Sequence, residues 1–233
     1  MDANSPSSAA SYSPPSTAPT TPPQIDATEC WPAKPVVLHG RYFSIRPLQP
    51  DDATDLWPLL ADEENVRLFK QTYGRTYSNF VDFKVLMADA QRSSYGSVTY
   101  TIISQQTRKP VGWLLLHSLT TYPAKCLEYA LFIQKHQRSE SVFDAGVTIN
   151  VFLFEVLGYD KLVFRRGSRS EECGQGANQL GFTLVGILRR QMLVKDRSTF
   201  TDCYTITREQ FPGAKEAIGA YLDSHPLVAG GDV

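Results

Sequence analysis

The sequence predicts a mixed α/β domain, a sheet with helices on both faces, preceded by an unstructured tail. Three observations carry that prediction. Residues 42–47 alternate, with Phe43, Ile45 and Pro47 on one side and Tyr42, Ser44 and Arg46 on the other, the period-two mark of a strand. Three strand-like runs follow one another between residues 97 and 133, with turn-rich segments between them. A helix-length stretch, 142–157, is apolar around most of its circumference (Val142, Phe143, Val147, Ile149 and Val151 to Phe154 among others), and such a helix belongs in an interior.

Taken in order, residues 1–28 are almost entirely Ser, Pro, Thr and Ala, with no Lys or Arg and a single large aliphatic, Ile25. They cannot bury enough surface to offset their ordering entropy, so 1–30 is expected to be a disordered tail and 36–224 the folded domain. Ser-Pro and Thr-Pro pairs at Ser5, Ser13 and Thr21 allow a phosphorylation platform beside the plainer reading of a solvated tail. The tail has neither the basic start and apolar run of a secretory signal nor the arginines of a mitochondrial presequence. After the first strand, Pro50-Asp51-Asp52 opens a helical stretch to about residue 60, its acids suiting the helix dipole. Further helical pieces cover 63–70 and 79–92, the latter with Phe80, Phe83, Leu86 and Met87 on one face. Strands at 97–103, 111–119 and 126–133, joined by turns at 105–110 and 120–125, read as an antiparallel meander. Gly158 ends the apolar helix in the usual C-terminal position. A short strand at 161–165, a polar helix at 171–180, strands at 182–194 and 200–207 and a closing helix at 214–224 complete the chain, without internal repeats.

With 233 residues and 42% hydrophobic content, the chain holds one well-cored domain plus the tail. Its 23 basic and 24 acidic side chains give a net charge of −1, and no broad positive field exists to gather nucleic acid. The tail takes three acids (Asp2, Asp26, Glu29) and no base, leaving the folded part mildly cationic at 23 against 21. No segment approaches the ~20 apolar residues of a membrane span. Cys30, Cys126, Cys173 and Cys203 are too widely spaced for a disulfide framework and read as reduced thiols of a cytoplasmic protein. His39, His117, His136 and His225 lack metal-ligand spacing with each other or with the cysteines, so no metal is expected. Neither a Ser-His-Asp motif nor a phosphate-binding P-loop is visible. Glu128, a charged residue inside an otherwise apolar strand, is the candidate general base, since partial burial raises a carboxyl toward neutrality; the plain alternatives are an outward-facing strand residue or a structural ion pair. Lys161, Arg165, Arg166 and Arg169 form the densest basic patch.

A series of landmarks runs in order from residue 38 to 212. Leu38-His39-Gly40-Arg41-Tyr42, Arg46-Pro47-Leu48, Asp52-Ala53 and Leu56-Trp57 come first, then Tyr73-Gly74, Val111-Gly112-Trp113 and Leu127-Glu128-Tyr129-Ala130. Phe154-Glu155-Val156-Leu157-Gly158-Tyr159, Leu180-Gly181-Phe182, Gly186, Arg189, Asp202 and Tyr204 follow. With these the chain resembles the Gcn5-related (GNAT) acyl-CoA N-acyltransferases, and among them the ribosomal-protein alanine acetyltransferase-like branch. The resemblance implies a mostly antiparallel sheet splayed between its fourth and fifth strands, counted from the strand at 42–47, with the pantetheine arm of acetyl-CoA in the gap.

On that resemblance the main chain of Leu131, Phe132 and Ile133 would meet the pantetheine, and the loop 134–141 would wrap the pyrophosphate through Arg138, Ser139 and Ser141. The loop departs from the family pattern in having no glycine, and Glu140 either opposes the phosphates or supports the helix start. Ser170 stands where the family has an Asn and Cys173 where it has a Ser. Cys173 is the candidate acid for the departing thiolate, with a small buried thiol as the plain alternative. Tyr73, Tyr129 and Tyr204 are expected in the substrate pocket. The basic patch is either a solvated face or a contact for the 3′-phosphate of the cofactor. The implied activity is acetyl transfer from acetyl-CoA to the amine of a small molecule, such as a natural-product intermediate of secondary metabolism, by direct attack in a ternary complex. A catalytically degenerate CoA- or protein-binding module and a protein N-terminal acetyltransferase are the alternatives.

Overall fold

A computed structural model describes residues 36–60, 79–91, 97–120, 125–133, 139–167, 171–194 and 197–225. The expected tail, the helical piece 63–70, Tyr73, Arg138 and Ser170 lie outside the described residues.

The described strands form one eight-stranded sheet in the order β1-β2-β3-β4-β5-β6-β8-β7. They are β1 (Leu38–His39), β2 (Phe43–Pro47), β3 (Ser97–Ser104), β4 (Pro110–Thr120), β5 (Cys126–Ile133), β6 (Lys161–Gly167), β7 (Thr183–Val194) and β8 (Arg197–Thr207). Every neighbouring pair is antiparallel except β5 and β6, which run parallel. The expected meander is β3–β4–β5, and β7 is bulged, with register shifts at Leu184/Gly186 and Arg189/Met192. The two-residue β1, which pairs Leu38 with Ile45, is an addition that the alternation beginning at Tyr42 does not reveal.

The helices are α1 (Asp52–Leu56), which tightens into a 3₁₀ turn (Trp57–Leu60), α2 (Phe80–Gln91), α3 (Ser139–Val151), α4 (Glu171–Gln179) and α5 (Phe211–Ser224). On one face of the sheet, α3, α4 and α5 cover a large core that includes Tyr100, Leu116, Leu127, Tyr129, Ile149, Leu162 and Phe211. On the other, α1 and α2 close a smaller one of Leu48, Leu56, Phe83, Met87, Trp113 and Phe132. The face a residue takes follows from strand alternation, so Leu114 and Trp113, adjacent in β4, belong to different cores.

Two buried carboxylates fasten helices to strands. Asp52 of α1 accepts two bonds from the Arg46 guanidinium (2.6 and 2.8 Å), one from Thr101 Oγ1 (2.6 Å) and one from the Gln49 amide (2.8 Å). Burial alone pushes its carboxyl up, and these donors outweigh that and hold it below the ordinary carboxylate range. Asp144 of α3 accepts from the amides of Arg41 (2.9 Å) and Tyr42 (2.8 Å), tying the β1–β2 turn to the central helix.

The central helix differs from its expected all-round burial. Val147 and Val151 are half-buried and Val156 is 68% exposed. Val156 is turned out by a π-helical turn at Phe152–Val156, in which the Leu157 amide donates to the Phe152 carbonyl five residues back (3.0 Å). The wider turn brings three successive residues, Phe152, Leu153 and Phe154, inside and turns Glu155 and Val156 out. Gly158 follows at φ +69°, the left-handed conformation expected of its helix-ending position. Helix α5 starts at Phe211 rather than Ala214, because Pro212 sits in the first turn, where its missing N–H costs nothing.

Candidate active site at the strand fork

The parallel ladder between β5 and β6 has three rungs, Cys126–Lys161, Leu127–Leu162 and Glu128–Val163. Beyond it β5 continues along β4 as far as the Gly112–Ile133 pair, while β6 continues along β8 as far as Gly167–Thr201. Each strand is therefore held on its outer edge and leaves its inner edge without a ladder partner among the described residues. This is the expected splay, between the fourth and fifth strands of the sequence-based count and between β5 and β6 here. Unpaired backbone donors and acceptors in a sheet demand partners, and an extended ligand carrying amides meets that demand by strand addition. Leu131, Phe132 and Ile133 occupy that stretch of β5, so the residues present fit a pantetheine-like arm. Gly112 sets how closely β4 braces it. A Cβ there would stand 2.0 Å from the Phe132 carbonyl oxygen and 2.9 Å from Ile133 Cα, so any side chain forces the two strands to shift.

Glu128 lies on the last rung, where the fork opens. Its parity puts its side chain on the α1–α2 side of the sheet, with Trp113 and Phe132, whose rings are 4.5 Å apart. The carboxylate is 24% exposed and pairs with Arg165 Nη1 at 3.1 Å. Arg165 stands two residues beyond Val163, on the same face, inside the opening. His117 is the cross-strand partner of Glu128 on β4, and its Nδ1 lies 2.7 Å from Ser97 Oγ. Burial pushes the Glu128 carboxyl up; Arg165 and His117 pull it back only in part, so it stays above the ordinary carboxylate range. A carboxylate so placed suits proton abstraction near neutral pH. Cys126 shares this face. Burial raises its thiol against the pull of Lys161 and Arg165, which makes it a poor nucleophile.

Ser139 and Ser141 fall in the first turn of α3, and Cys173 in the first turn of α4. Tyr129 and Tyr204 require a correction. Both were expected to line the substrate pocket, and both are buried in the core under α3, 2% and 4% exposed. Tyr129 packs edge-on against Phe182 (5.7 Å), and Tyr204 meets Phe164 (6.4 Å). Strand alternation makes this unavoidable for Tyr129, because a residue next to Glu128 must face the opposite side. Burial holds its phenol far above its ordinary range, locked in the protonated form. Arg165 is the residue that sequence reasoning missed as a partner of Glu128. Its identity was visible within the basic patch, but the parallel register that brings it to Glu128 has no local sequence signal. Among the described residues no group of three His, Cys, Asp or Glu side chains is arranged to hold a metal ion. None of the described helices is long and apolar enough to cross a membrane.

No protein-family model matches the chain, and no curated protein matches it. Solved structures do. The architecture is that of the GNAT acetyltransferases, an α/β fold with a mostly antiparallel sheet parted at one parallel junction. A GCN5-related N-acetyltransferase from Brucella melitensis superposes with a TM-score of 0.75 at 20% identity, over 83% of this chain and 87% of that one. RimJ of Mycobacterium smegmatis, solved in complex with CoA-disulfide, gives 0.68 at 15% identity, over 82% and 95%. A spermidine N-acetyltransferase chimera from Vibrio cholerae and hSSAT gives 0.59 at 14%, over 73% and 98%. At such identities the likeness establishes the fold.

Proposed function

We propose that the protein is a cytoplasmic acyltransferase that moves an acetyl group from acetyl-CoA to the amine of a small molecule by direct attack in a ternary complex. The observation that carries this reading is the fork itself, with a partly buried glutamate at the point where β5 and β6 part. In the reaction the amine nitrogen attacks the thioester carbonyl, the C–S bond breaks, Glu128 accepts the proton lost by the amine, and the CoA sulfur leaves and is protonated. Cys173 is assigned that last proton. The main chain of Leu131–Ile133 is assigned the pantetheine, and Arg138, Ser139, Ser141 and Ser170 the phosphate end. The complex of RimJ with CoA-disulfide supports a CoA cofactor, and the spermidine N-acetyltransferase supports an amine acceptor.

The test combines thermal stabilisation by acetyl-CoA with thiol release in the presence of amines. A ligand at 100 times its dissociation constant adds about 2.7 kcal/mol. Glu128→Gln is expected to keep that stabilisation and lose turnover. No stabilisation at millimolar acetyl-CoA, in a protein that unfolds cooperatively, would refute the reading. One specific observation favours a second reading: Arg165 already engages the Glu128 carboxylate. A CoA-binding module without catalysis would bind the cofactor and leave Glu128→Gln silent.

A further inference from the structure

The floor of the fork is unbalanced in charge. Glu128 is the single acid in β4, β5 and β6, and the face it occupies also carries His117, Lys161 and Arg165. The acid is not idle either, since the Arg165 guanidinium holds it at 3.1 Å. An acceptor that arrives as a simple ammonium meets a cation beside the base it needs, and brings nothing to draw that cation away. An acceptor that carries a carboxylate next to its amine brings both exchange partners. The guanidinium transfers from Glu128 to the incoming carboxylate, and Glu128 receives the ammonium. Arginine suits the first exchange, because its planar set of donors binds carboxylates side-on through two parallel bonds. One of those donors is unused here. Arg165 Nε is buried and has no hydrogen-bond partner among the described residues, a costly state that a carboxylate across the Nε edge would relieve. The pair is also within reach of a ligand, with Arg165 32% and Glu128 24% exposed.

We infer that the acceptor bears a carboxylate beside its amine, as an α-amino acid does, and that Arg165 is the residue that recognises it; this rests on the acetyl-transfer reading above. Arg165 sets specificity and also frees the base. Binding the right acceptor removes the cation from Glu128, so the carboxylate becomes a stronger proton acceptor only when the amine is in place.

The experiment uses the full chain, saturated with CoA, and matched probes: phenylalanine with phenethylamine, tyrosine with tyramine, histidine with histamine, lysine with cadaverine. Binding is read by calorimetry and transfer by thiol release from acetyl-CoA. At least one amino acid is expected to bind about ten- to a hundredfold more tightly than its decarboxylated partner, the span of one charge-assisted hydrogen bond. Arg165→Gln should abolish that difference with acetyl-CoA stabilisation unchanged, and Arg165→Lys should keep part of it. Equal or tighter binding of the decarboxylated amines overturns the inference. So does failure of every amino acid to bind, or a preference that survives in Arg165→Gln. A chain that gains no stability from acetyl-CoA yet shows an Arg165-dependent preference refutes acetyl transfer and keeps the carboxylate site. A chain that acetylates amines without regard to the carboxylate does the reverse.

Discussion

The sheet has two halves that meet at the fork, and they are built differently. From β1 to β5 each strand pairs with its predecessor, helices cover both faces, and buried carboxylates bolt the helices down. From β6 to β7 the order is interrupted, with β8 inserted between them, and Leu184, Val185, Ile187 and Leu188 of β7 stand 38–60% exposed. The comparison teaches where the chemistry has to sit. A fully paired sheet offers no backbone to a ligand, and an open edge offers no burial to tune a carboxyl. Only at the three-rung junction of a buried half with an open one do both exist together.

The sharpest way to break the junction is at its base. Glu128→Gln is expected to lower kcat about a hundredfold or more, within the 10²–10⁴ range of general-base catalysis, while acetyl-CoA stabilisation is kept. Loss of both together would move Glu128 from chemistry to architecture. Next comes Gly112→Ala on the buried half, which puts a methyl into the Phe132 carbonyl and should cost roughly 3 kcal/mol of overpacking strain in chemical denaturation. Asp52→Asn should cost a similar amount, roughly 3 kcal/mol, by stranding Arg46.

The interior of the buried half and its rim at the fork differ in the sign of their pH dependence. Asp52 is held low when folded, so its contribution is complete above the ordinary carboxylate range and is lost as the pH falls through the folded value. Glu128 is held high, so the folded state binds the extra proton and stability falls as pH rises through the window above the ordinary range. Unfolding followed against pH should lose its acid-side slope in Asp52→Asn and its opposite slope in Glu128→Gln. In activity, Arg165→Gln removes a cation that lowers the Glu128 carboxyl, and the acid limb of kcat/KM should move to higher pH. An unmoved limb would mean that another group sets it. The smallest effect is reserved for the open half, where Ile187→Ser should alter stability by no more than about 0.5 kcal/mol, because its side chain is already 55% exposed. A large loss there would show that β7 is covered in solution.

The same division governs what could be read from the sequence. The meander, α2 and the helix stop at Gly158 rest on local periodicity and turn chemistry, and they stand where expected, to within a residue or two. Glu128 stood out as one charge in an apolar run. Its partner did not, because a parallel pair joined through a helix has no register visible in the chain, and without the register Arg165 is one cation of a basic patch. Tyr129 and Tyr204 were misplaced for a related reason. Their residue type suits a pocket, but a count from Glu128 puts Tyr129 on the core side, and the β6–β8 register that sets Tyr204 opposite Phe164 puts it there too. The π-helical turn hides differently, since one additional residue in a turn leaves the apolar composition unchanged and only rotates which residues face inward.

Asp144 has a consequence in time. The two amides it seals, at Arg41 and Tyr42, precede it by 103 and 102 residues, and the Arg41 guanidinium pairs with Asp223, 182 residues from Arg41 along the chain. A nascent chain that has emerged only through β5 holds its whole meander with that turn still uncapped. Closure waits for α3 to be synthesised and docked, and the outer ion pair waits for α5. The first turn of the domain is therefore among the last parts to be finished, and the beginning of the fold is locked by its end.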